Sequence, residues 1–338
     1  MRKKQQVNFA IITVIAMLII AGTFIQLRTP APKLMPEGGV PAPEAKQEQT
    51  QLLEGMPQFD MAKYPKEPVI EVWLSDKNER KSMPLETYLE GVIAKEMDPS
   101  WPFEALRAQA IASRTLTLSA MEAGTIRKLH AADVSTDKDE LQAYAPEKVN
   151  NTVRFAVQST RGEILLYGGS LVHAIYCASN GQISATKEES FPREISEPLP
   201  YFQPVTDESF QYTPPNIREW TVKVPGAEVA AAVGYQGNPA NITILEKGPS
   251  GRILYIGVDN NKVYGSEFRK TIGFDRLKST LINEMTYDGT TFLFKGRGWG
   301  NGVGLCQWGA YTSAVQGMIA EDILKHYYVG TQITKLWN

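Results

Sequence analysis

The stretch PLETYLEGVIAKEM, residues 84–97, decides how the fold begins. At helical spacing it places a single apolar stripe on one face. The stripe consists of Leu85, Tyr88, Leu89, Val92 and Ile93. The next position on that face is Glu96, where a buried helix face would not be expected to carry a charge. We therefore predict an amphipathic helix that ends in a carboxyl group at the edge of the core.

Glu96 has two alternative interpretations. A carboxyl group at the end of a buried stripe is partly removed from water, and desolvation favours its neutral form. A carboxyl group that keeps its proton near neutral pH can act as a general acid. Glu96 could instead be a structural residue, either paired with an arginine or ending a frayed helix, because ion pairs also perturb carboxyl groups. Its position alone leaves both interpretations open.

A second helix is predicted from about residue 102 to 123, because Asp98-Pro99 ends the first one. Arg114 falls on the apolar face of this helix. A guanidinium group near the core needs a partner, and Glu86 or Glu96 of the first helix is the expected one. The alternative is that the head group of Arg114 extends to water.

Beyond about residue 150 the pattern favours strands. Apolar runs at 164–167 and 171–176 flank Gly168-Gly169, which is typical of a hairpin. Further strands are predicted at 220–224, 242–245, 253–258, 262–264 and 291–294, and a last helix at about 319–328. The predicted fold class is α+β, with an N-terminal helix pair and a C-terminal helix packed with a β-rich middle region.

This fold is expected to follow a single N-terminal transmembrane helix. Three basic residues precede an apolar run at 9–27, which nearly matches a hydrocarbon core of about 30 Å. The charge predicts a cytoplasmic N-terminus with the remainder extracytoplasmic, in the cell membrane. A cleaved secretory signal is the alternative. The predicted organisation is a cytoplasmic tip and anchor at 1–28, a Pro-rich extracytoplasmic linker at 29–67 and one folded domain at 68–338.

Two classes of ligand are disfavoured by composition and spacing. The net charge is −2 with 21% charged residues, so nothing indicates a nucleic-acid partner. His173 and Cys177 stand four residues apart, but in an extended strand their backbones would be roughly 13 Å apart. We therefore expect no zinc site. A substrate recognised through shape and hydrogen bonds fits this balance better.

The stretch GRGWGNGVGLCQWGA, residues 296–310, has glycine at every second position as far as Gly304. Such alternation bares one face, so that a ligand or another backbone can come close, here at Gly300 and Gly302. Trp299 and Trp308 offer flat apolar surfaces on which sugar rings can stack. The spacing fits neither a dinucleotide-binding loop nor a P-loop. A glycine-rich bulge packed against the core is an equal alternative.

Three blocks together resemble the SpoIID family, that of stage II sporulation protein D, which includes amidase-enhancer proteins. The first covers residues 85–97 and continues into 105–115. The second is YCASNG at 176–181, followed by residues 200–202, and the third is the glycine-rich stretch with residues 323–328. A weaker block lies at 265–273. The resemblance therefore spans roughly residues 69–335.

The resemblance implies a membrane-anchored peptidoglycan lytic transglycosylase acting in engulfment during sporulation. Glu96 would be its catalytic residue, and denuded glycan strands would be cut to 1,6-anhydro-muramic acid products. No cofactor is implied. The implied partners are peptidoglycan glycan strands, a SpoIIP-like cell-wall amidase and a SpoIIM-like membrane protein that localises both. The alternatives are a non-catalytic, glycan-binding enhancer of an amidase and a plain cell-wall adhesion domain.

The same resemblance assigns further positions around one cleft. Gln109 and Arg114 would line or brace it, and polar groups would be presented to sugar hydroxyls by Ser179, Asn180, Gly181 and Gln307. This chain departs from its relatives at Asn301, where they have histidine, and at Cys306, where they have serine. We hypothesise a Cys177–Cys306 disulfide between the second and third blocks. The alternative is two buried thiols that never bond.

Overall fold

The computed structural model describes residues 56–338. The predicted transmembrane anchor and most of the predicted linker lie outside the described residues. The contacts group all of the described residues into one unit. The division into a tip, a linker and one folded domain stays a prediction.

Helices occur along the whole described range. The α-helices there are α1 (Leu85–Glu96), α2 (Phe103–Ala123), α3 (Thr125–His130), α4 (Asn151–Ser159), α5 (Lys187–Ser190), α6 (Pro215–Arg218), α7 (Gly226–Ala232), α8 (Gly265–Ile272), α9 (Gln307–Val315) and α10 (Ala320–Tyr327). Short 3-10 turns lie at Met61–Lys63, Pro146–Lys148, Ser209–Gln211 and Pro239–Asn241. The helix pair α1 and α2 supplies much of the first core.

The strands are short. They are β1 (Val69–Leu74), β2 (Glu79–Pro84), β3 (Val134–Ser135), β4 (Glu163–Tyr167), β5 (Ser170–Leu171), β6 (Tyr176–Cys177), β7 (Glu219–Pro225), β8 (Thr243–Lys247), β9 (Ile253–Val258), β10 (Asn261–Tyr264), β11 (Ile282–Tyr287), β12 (Thr291–Arg297), β13 (Leu305–Cys306) and β14 (Gln332–Lys335). They form small sheets in the orders β2-β1-β3, β14-β4-β5, β13-β6, β10-β9-β8 and β11-β12-β7. The β1–β3 and β6–β13 pairs are parallel, and the other pairs are antiparallel.

The described residues contain two hydrophobic cores. The first is built on the apolar stripe of α1, whose five predicted members are all fully buried, together with the inward face of α2, α10 and the β14-β4-β5 sheet. The second lies between the β11-β12-β7 and β10-β9-β8 sheets and helices α7 and α8. Phe268, Phe292 and Phe294 fill its centre. The polar residues considered below lie mainly around the first core.

The predicted fold class needs correction, because the described residues form a mixed α+β fold with several small sheets rather than helices packed with one β-rich region. Within residues 56–338, no helix is long and apolar enough to cross a membrane. The 21-residue helix α2 has the length, but it carries Glu104, Arg107, Arg114 and Glu122. The segment at 9–27, on which the transmembrane prediction falls, lies outside the described residues. The middle region is also not a β-rich block, because helices α4 to α8 alternate with its strands.

Candidate active site

Glu96 is the last residue of α1 and lies half-buried at the edge of the first core. The chain becomes extended at Met97, so the helix ends directly after Glu96. Its Oε1 accepts a hydrogen bond from the backbone N–H of Ala143 at 2.8 Å. Among the described residues, no cation forms an ion pair with it.

Burial raises the pKa of Glu96, and nearby donors oppose that rise. The opposing groups are the Ala143 N–H and the side chains of Tyr176 and Gln307, with a smaller effect of the Lys95 charge. Because desolvation is the largest influence, the pKa stays above its ordinary value. The arrangement therefore provides a carboxyl group that can hold a proton and can also be stabilised after losing it.

A chain of buried polar side chains supports this end of α1. The Tyr176 hydroxyl, at the start of β6, donates to Gln142 Oε1 at 3.1 Å, and Gln142 Nε2 donates to Thr117 Oγ1 at 2.9 Å. A hydroxyl has one proton, so Tyr176 can donate to Gln142 or to Glu96, but not to both. Gln142 is buried, and its position is thereby fixed against α2.

Gln307 and Gln109, which the resemblance named, contact each other near Glu96, and their contact with substrate stays a prediction. Gln307 opens helix α9, and its Nε2 donates to Gln109 Oε1 at 3.4 Å. Gln109 Nε2 in turn donates to Ser113 Oγ at 3.0 Å. Both glutamines are buried, so they are held in place beside Glu96.

Arg114 lies at the other end of α1, where it is fully buried against Glu86. Its Nη2 and Nε donate to the two Glu86 oxygens at 2.7 and 3.0 Å. Glu86 Oε1 also accepts from the Gly162 N–H and from the Trp337 indole, each at 3.1 Å. Of the two expected partners of Arg114, the structure therefore selects Glu86. Substrate contact by Arg114 stays a prediction that its burial does not support.

Ser179, Asn180 and Gly181 lie inside the protein rather than on its surface. Ser179 exchanges backbone hydrogen bonds with Trp299 at 3.0 and 2.8 Å. The Asn180 side chain donates to Asp207 Oδ2 at 2.9 Å. The Ser179–Trp299 pair therefore joins the second block to the glycine-rich stretch.

The space beside Gly300 and Gly302, where no side chain projects, is occupied by other residues of the protein. A Cβ atom at Gly300 would lie 2.8 Å from Cys177 Cβ, and one at Gly302 would lie 2.3 Å from the Arg252 guanidinium. Both glycines also have positive φ angles, of 123° and 90°. Gly300 therefore allows close packing against the second block, and Gly302 allows close packing against Arg252.

Two further residues of the glycine-rich stretch have their side chains engaged within the protein. The Lys278 ammonium stands 4.6 Å from the centre of the Trp299 ring, so it covers one face of that ring. Asn301, at the family's histidine position, accepts from the Val303 N–H through Oδ1 at 2.9 Å. Both side chains therefore already have an intramolecular partner.

Cys177 and Cys306 face each other across the β6–β13 pair, but both are free thiols. The hypothesised disulfide is therefore not formed in this structure. Burial raises the pKa of Cys177 to about 12, and Cys306 Sγ accepts from the Gly309 N–H at 3.2 Å. Residues 56–338 contain no group of three or more His, Cys, Asp and Glu side chains arranged to hold a metal ion.

The sequence did not single out the Tyr176 hydroxyl, Gln142 and the Ala143 N–H near Glu96, nor the nearby residue Trp101. Trp101 had a local signal, because it stands between Pro99 and Pro102 in the short connection that follows Glu96. Its ring centre is 4.6 Å from that of Trp308. Gln142 and Ala143 have no such signal, since they are distant from Glu96 in sequence and lie near it only in the folded protein.

Comparisons with known proteins find similarity to stage II sporulation proteins. Residues 75–167 match the family model described as SpoIID, stage II sporulation protein. An uncharacterised protein of Brachyspira hyodysenteriae is 32% identical over 254 residues, which cover 74% of this chain and 66% of that protein. Stage II sporulation protein D of Bacillus subtilis is 26% identical over 278 residues, or 79% of either chain.

An amidase enhancer of Bacillus subtilis is also similar, with 28% identity over 297 residues. The aligned part covers 73% of this chain and 40% of that protein. This chain thus spans just under two thirds of the Brachyspira protein and well under half of the amidase enhancer.

Proposed function

The chain belongs to the stage II sporulation protein D family, and on that premise we propose that it is a peptidoglycan lytic transglycosylase. It would cut denuded glycan strands outside the cytoplasm, during engulfment in sporulation, and release 1,6-anhydro-muramic acid ends. The proposal rests on the environment of Glu96, whose burial raises its pKa and which forms no ion pair within residues 56–338.

In the first half of the reaction, protonated Glu96 donates its proton to the glycosidic oxygen. The bond from this oxygen to the anomeric carbon breaks, and positive charge develops on the muramic acid ring. A general acid works best when its pKa lies near the operating pH, which explains why burial at the end of α1 is useful.

In the second half, the Glu96 carboxylate accepts the proton of the muramic acid 6-hydroxyl while that oxygen bonds to the anomeric carbon. Atoms balance without water, since one glycosidic bond is replaced by an intramolecular one. The Ala143 N–H, Tyr176 and Gln307 favour the carboxylate form needed here. One carboxyl group therefore serves as both acid and base, and no second acid at hydrolase spacing is required.

The substrate lacks stem peptides, so an amidase has to act before this enzyme. A SpoIIP-like amidase would fill that role, and a SpoIIM-like membrane protein would bring the two together. Both partners are implied by the family alone.

A second candidate function is supported by the similarity to a protein named amidase enhancer. The chain would then bind glycan through the same site without cutting it. Asn301 favours this alternative, because it stands where relatives have histidine and cannot take up a positive charge.

The test is mass spectrometry of purified glycan strands without stem peptides after incubation with the full chain. We expect anhydro-ended fragments from the wild type and a rate at least ~10²-fold lower from Glu96→Gln. Glu90→Gln is the matched control, since Glu90 lies on the same helix and pairs with Arg154 at 3.6 Å. If neither wild type nor Glu96→Gln cuts but both retain glycan, the enhancer function replaces the proposal.

A further inference from the structure

A cavity of about 660 Å³ lies between helix α8 and the glycine-rich stretch, and the function proposed above makes no use of it. Its walls come from four segments of the chain, within residues 138–139, 189–194, 266–280 and 300–301. The third segment overlaps the block at 265–273, whose resemblance to the family is the weakest. Small-molecule sites typically measure about 300–1,000 Å³, so the cavity can hold a ligand of sugar size.

Arg269, on helix α8, lines this cavity as a half-buried cation. Its Nε and Nη2 donate to the backbone carbonyls of Leu277 and Lys278 at 2.8 and 2.9 Å. Among the described residues, its Nη1 has no hydrogen-bond acceptor and no carboxylate pairs with it. Burial lowers the pKa of Arg269 to about 10, because a partly dehydrated charge is less stable. A bound anion would supply the counter-charge that the protein does not.

Three other side chains of the cavity wall also have unused donors. Lys270 is exposed and forms no ion pair within residues 56–338. Asn301 accepts from the Val303 N–H through Oδ1, which leaves its Nδ2 without a partner in the described part of the chain. Ser266 Oγ is buried and likewise has no partner there. Buried polar atoms are rarely left unsatisfied, so this group of donors is consistent with a ligand site.

The carboxylates that line the cavity do not cancel its cations. Asp139 pairs with Lys138 at 2.8 Å. Glu189 is buried, and both of its oxygens accept hydrogen bonds from the protein itself. Glu194 and Asp275 are exposed, so water and salt screen their charges. The half-buried Arg269 is screened less, and the cavity therefore favours an anion.

Two aromatic rings add apolar surface to the same wall. Phe191 is half-buried, and Phe274 is 48% exposed with the Arg269 guanidinium 4.5 Å from its ring centre. A small inorganic anion would not use this surface. A sugar that carries a carboxylate would use both the apolar surface and the donors.

We propose that this cavity binds the lactyl carboxylate of muramic acid in glycan strands without stem peptides, with Arg269, Lys270 and Asn301 as donors. The choice of sugar rests on the proposed function. When an amidase removes a stem peptide, it hydrolyses the amide at the lactyl group and leaves a carboxylate there. A strand that keeps its peptides has a neutral amide at that position. The cavity would thus distinguish denuded strands from unprocessed ones.

The first test is an NMR titration of the full chain with N-acetylmuramic acid, compared with N-acetylglucosamine, which lacks the lactyl group. Lys270→Gln should raise Kd for N-acetylmuramic acid several-fold. Asn301→Asp keeps the acceptor for Val303 but places a negative charge in the cavity, so it should raise Kd about tenfold or more. Neither variant should change the binding of N-acetylglucosamine. Lys262→Gln is the charge-matched control, an exposed lysine of β10 outside the cavity, and should change nothing.

The second test uses purified denuded strands and the same strands with their lactyl carboxylates converted to methyl amides. Binding is measured with the full-length Glu96→Gln chain, so that strands are not consumed. We expect the carboxylate strands to bind about tenfold more tightly, and Arg269→Gln to remove this preference. Should Arg269→Gln not fold, because its side chain also supports two backbone carbonyls, Lys270→Gln and Asn301→Asp decide alone.

The outcomes separate this inference from the proposed function. If the wild type releases anhydro ends but the cavity variants bind N-acetylmuramic acid as the wild type does, the cavity assignment is overturned and the transglycosylase stands. If no anhydro ends appear while Lys270→Gln still weakens that binding, the cavity assignment stands and the transglycosylase fails. Competition by inorganic phosphate as strong as that by N-acetylmuramic acid would show a general anion site and overturn the choice of sugar.

Discussion

The two ends of helix α1 each hold a buried or half-buried glutamate, and they differ in what surrounds it. Glu86, at the start, is held by Arg114 and by two further donors, from Gly162 and Trp337. Glu96, at the end, has hydrogen-bond donors around it but no paired cation among the described residues. Two glutamates on the same helix thus lie in different environments.

This difference shows how a protein separates a structural carboxyl group from a reactive one. A cation fixes the charged form and makes the residue part of the fold. A buried carboxyl group without a paired cation has a raised pKa. It can therefore give up and take back a proton near neutral pH, as an acid–base catalyst requires. Helix α1 positions both carboxyl groups, and the presence or absence of a paired cation decides whether each one is structural or reactive.

Removing the charge at the paired end should have the largest effect on stability. Glu86→Gln leaves the fully buried Arg114 without a counter-charge, so we expect a loss of about 3–5 kcal/mol in the free energy of unfolding. Urea denaturation measures it. Glu90→Gln, at a half-exposed ion pair of 3.6 Å, should cost under ~1 kcal/mol. A loss that small for Glu86→Gln would contradict the structural role assigned to the pair.

Replacing Glu96, the glutamate without a paired cation among the described residues, by glutamine should raise the stability of the protein rather than lower it. Burial holds the pKa of Glu96 above its unfolded-state value, so the stabilisation linked to its proton is complete at low pH. It is lost as the pH rises through the folded-state pKa. Glu96→Gln should therefore be more stable than wild type at pH 7, by up to ~1 kcal/mol.

The pH dependence provides the check on that prediction. The advantage of Glu96→Gln in urea denaturation should shrink on acidification and vanish below about pH 4, near the unfolded pKa of glutamate. A constant advantage from pH 4 to pH 8 would show that the proton on Glu96 is not its cause.

The smallest effect is expected from a donor at the unpaired end. Tyr176→Phe removes a hydroxyl that lowers the pKa of Glu96, so the alkaline limb of the activity profile should move to higher pH. The alternative hydrogen bond of the same hydroxyl, to Gln142 Oε1, is lost as well, at a cost of about 1 kcal/mol in the molecules that form it. An alkaline limb that stays in place would mean that Tyr176 does not act on Glu96.

The two helices at the start of the fold could be predicted from local sequence. The apolar stripe and the flanking prolines placed them to within a residue or two of their observed ends, Leu85–Glu96 and Phe103–Ala123. The run at 171–176 misled, because only its ends join strands while Val172 and Ala174 are buried in irregular backbone. Burial without a strand partner gives the same apolar pattern as a strand. Helix α4, Asn151–Ser159, was not predicted at all.

The site could be predicted only in part for the same physical reason. Glu96 was found because helical spacing is local, and Gln109 and Gln307 because the resemblance named them. The partners Gln142 and Ala143 lie more than 40 residues from Glu96 in sequence, where no periodicity relates them. The glycine alternation was correctly seen as allowing close approach, but its spacing could not tell a ligand from the protein's own second block.

The Trp337–Glu86 hydrogen bond spans 251 residues and has a consequence for timing. Gln307, beside Glu96, also comes late in the chain. A growing polypeptide that has made α1 but not residues 300–338 therefore has neither carboxyl environment complete. Contacts of such separation close a long loop and form late. The environments of both glutamates would then be completed only after residues 307 and 337 have been made.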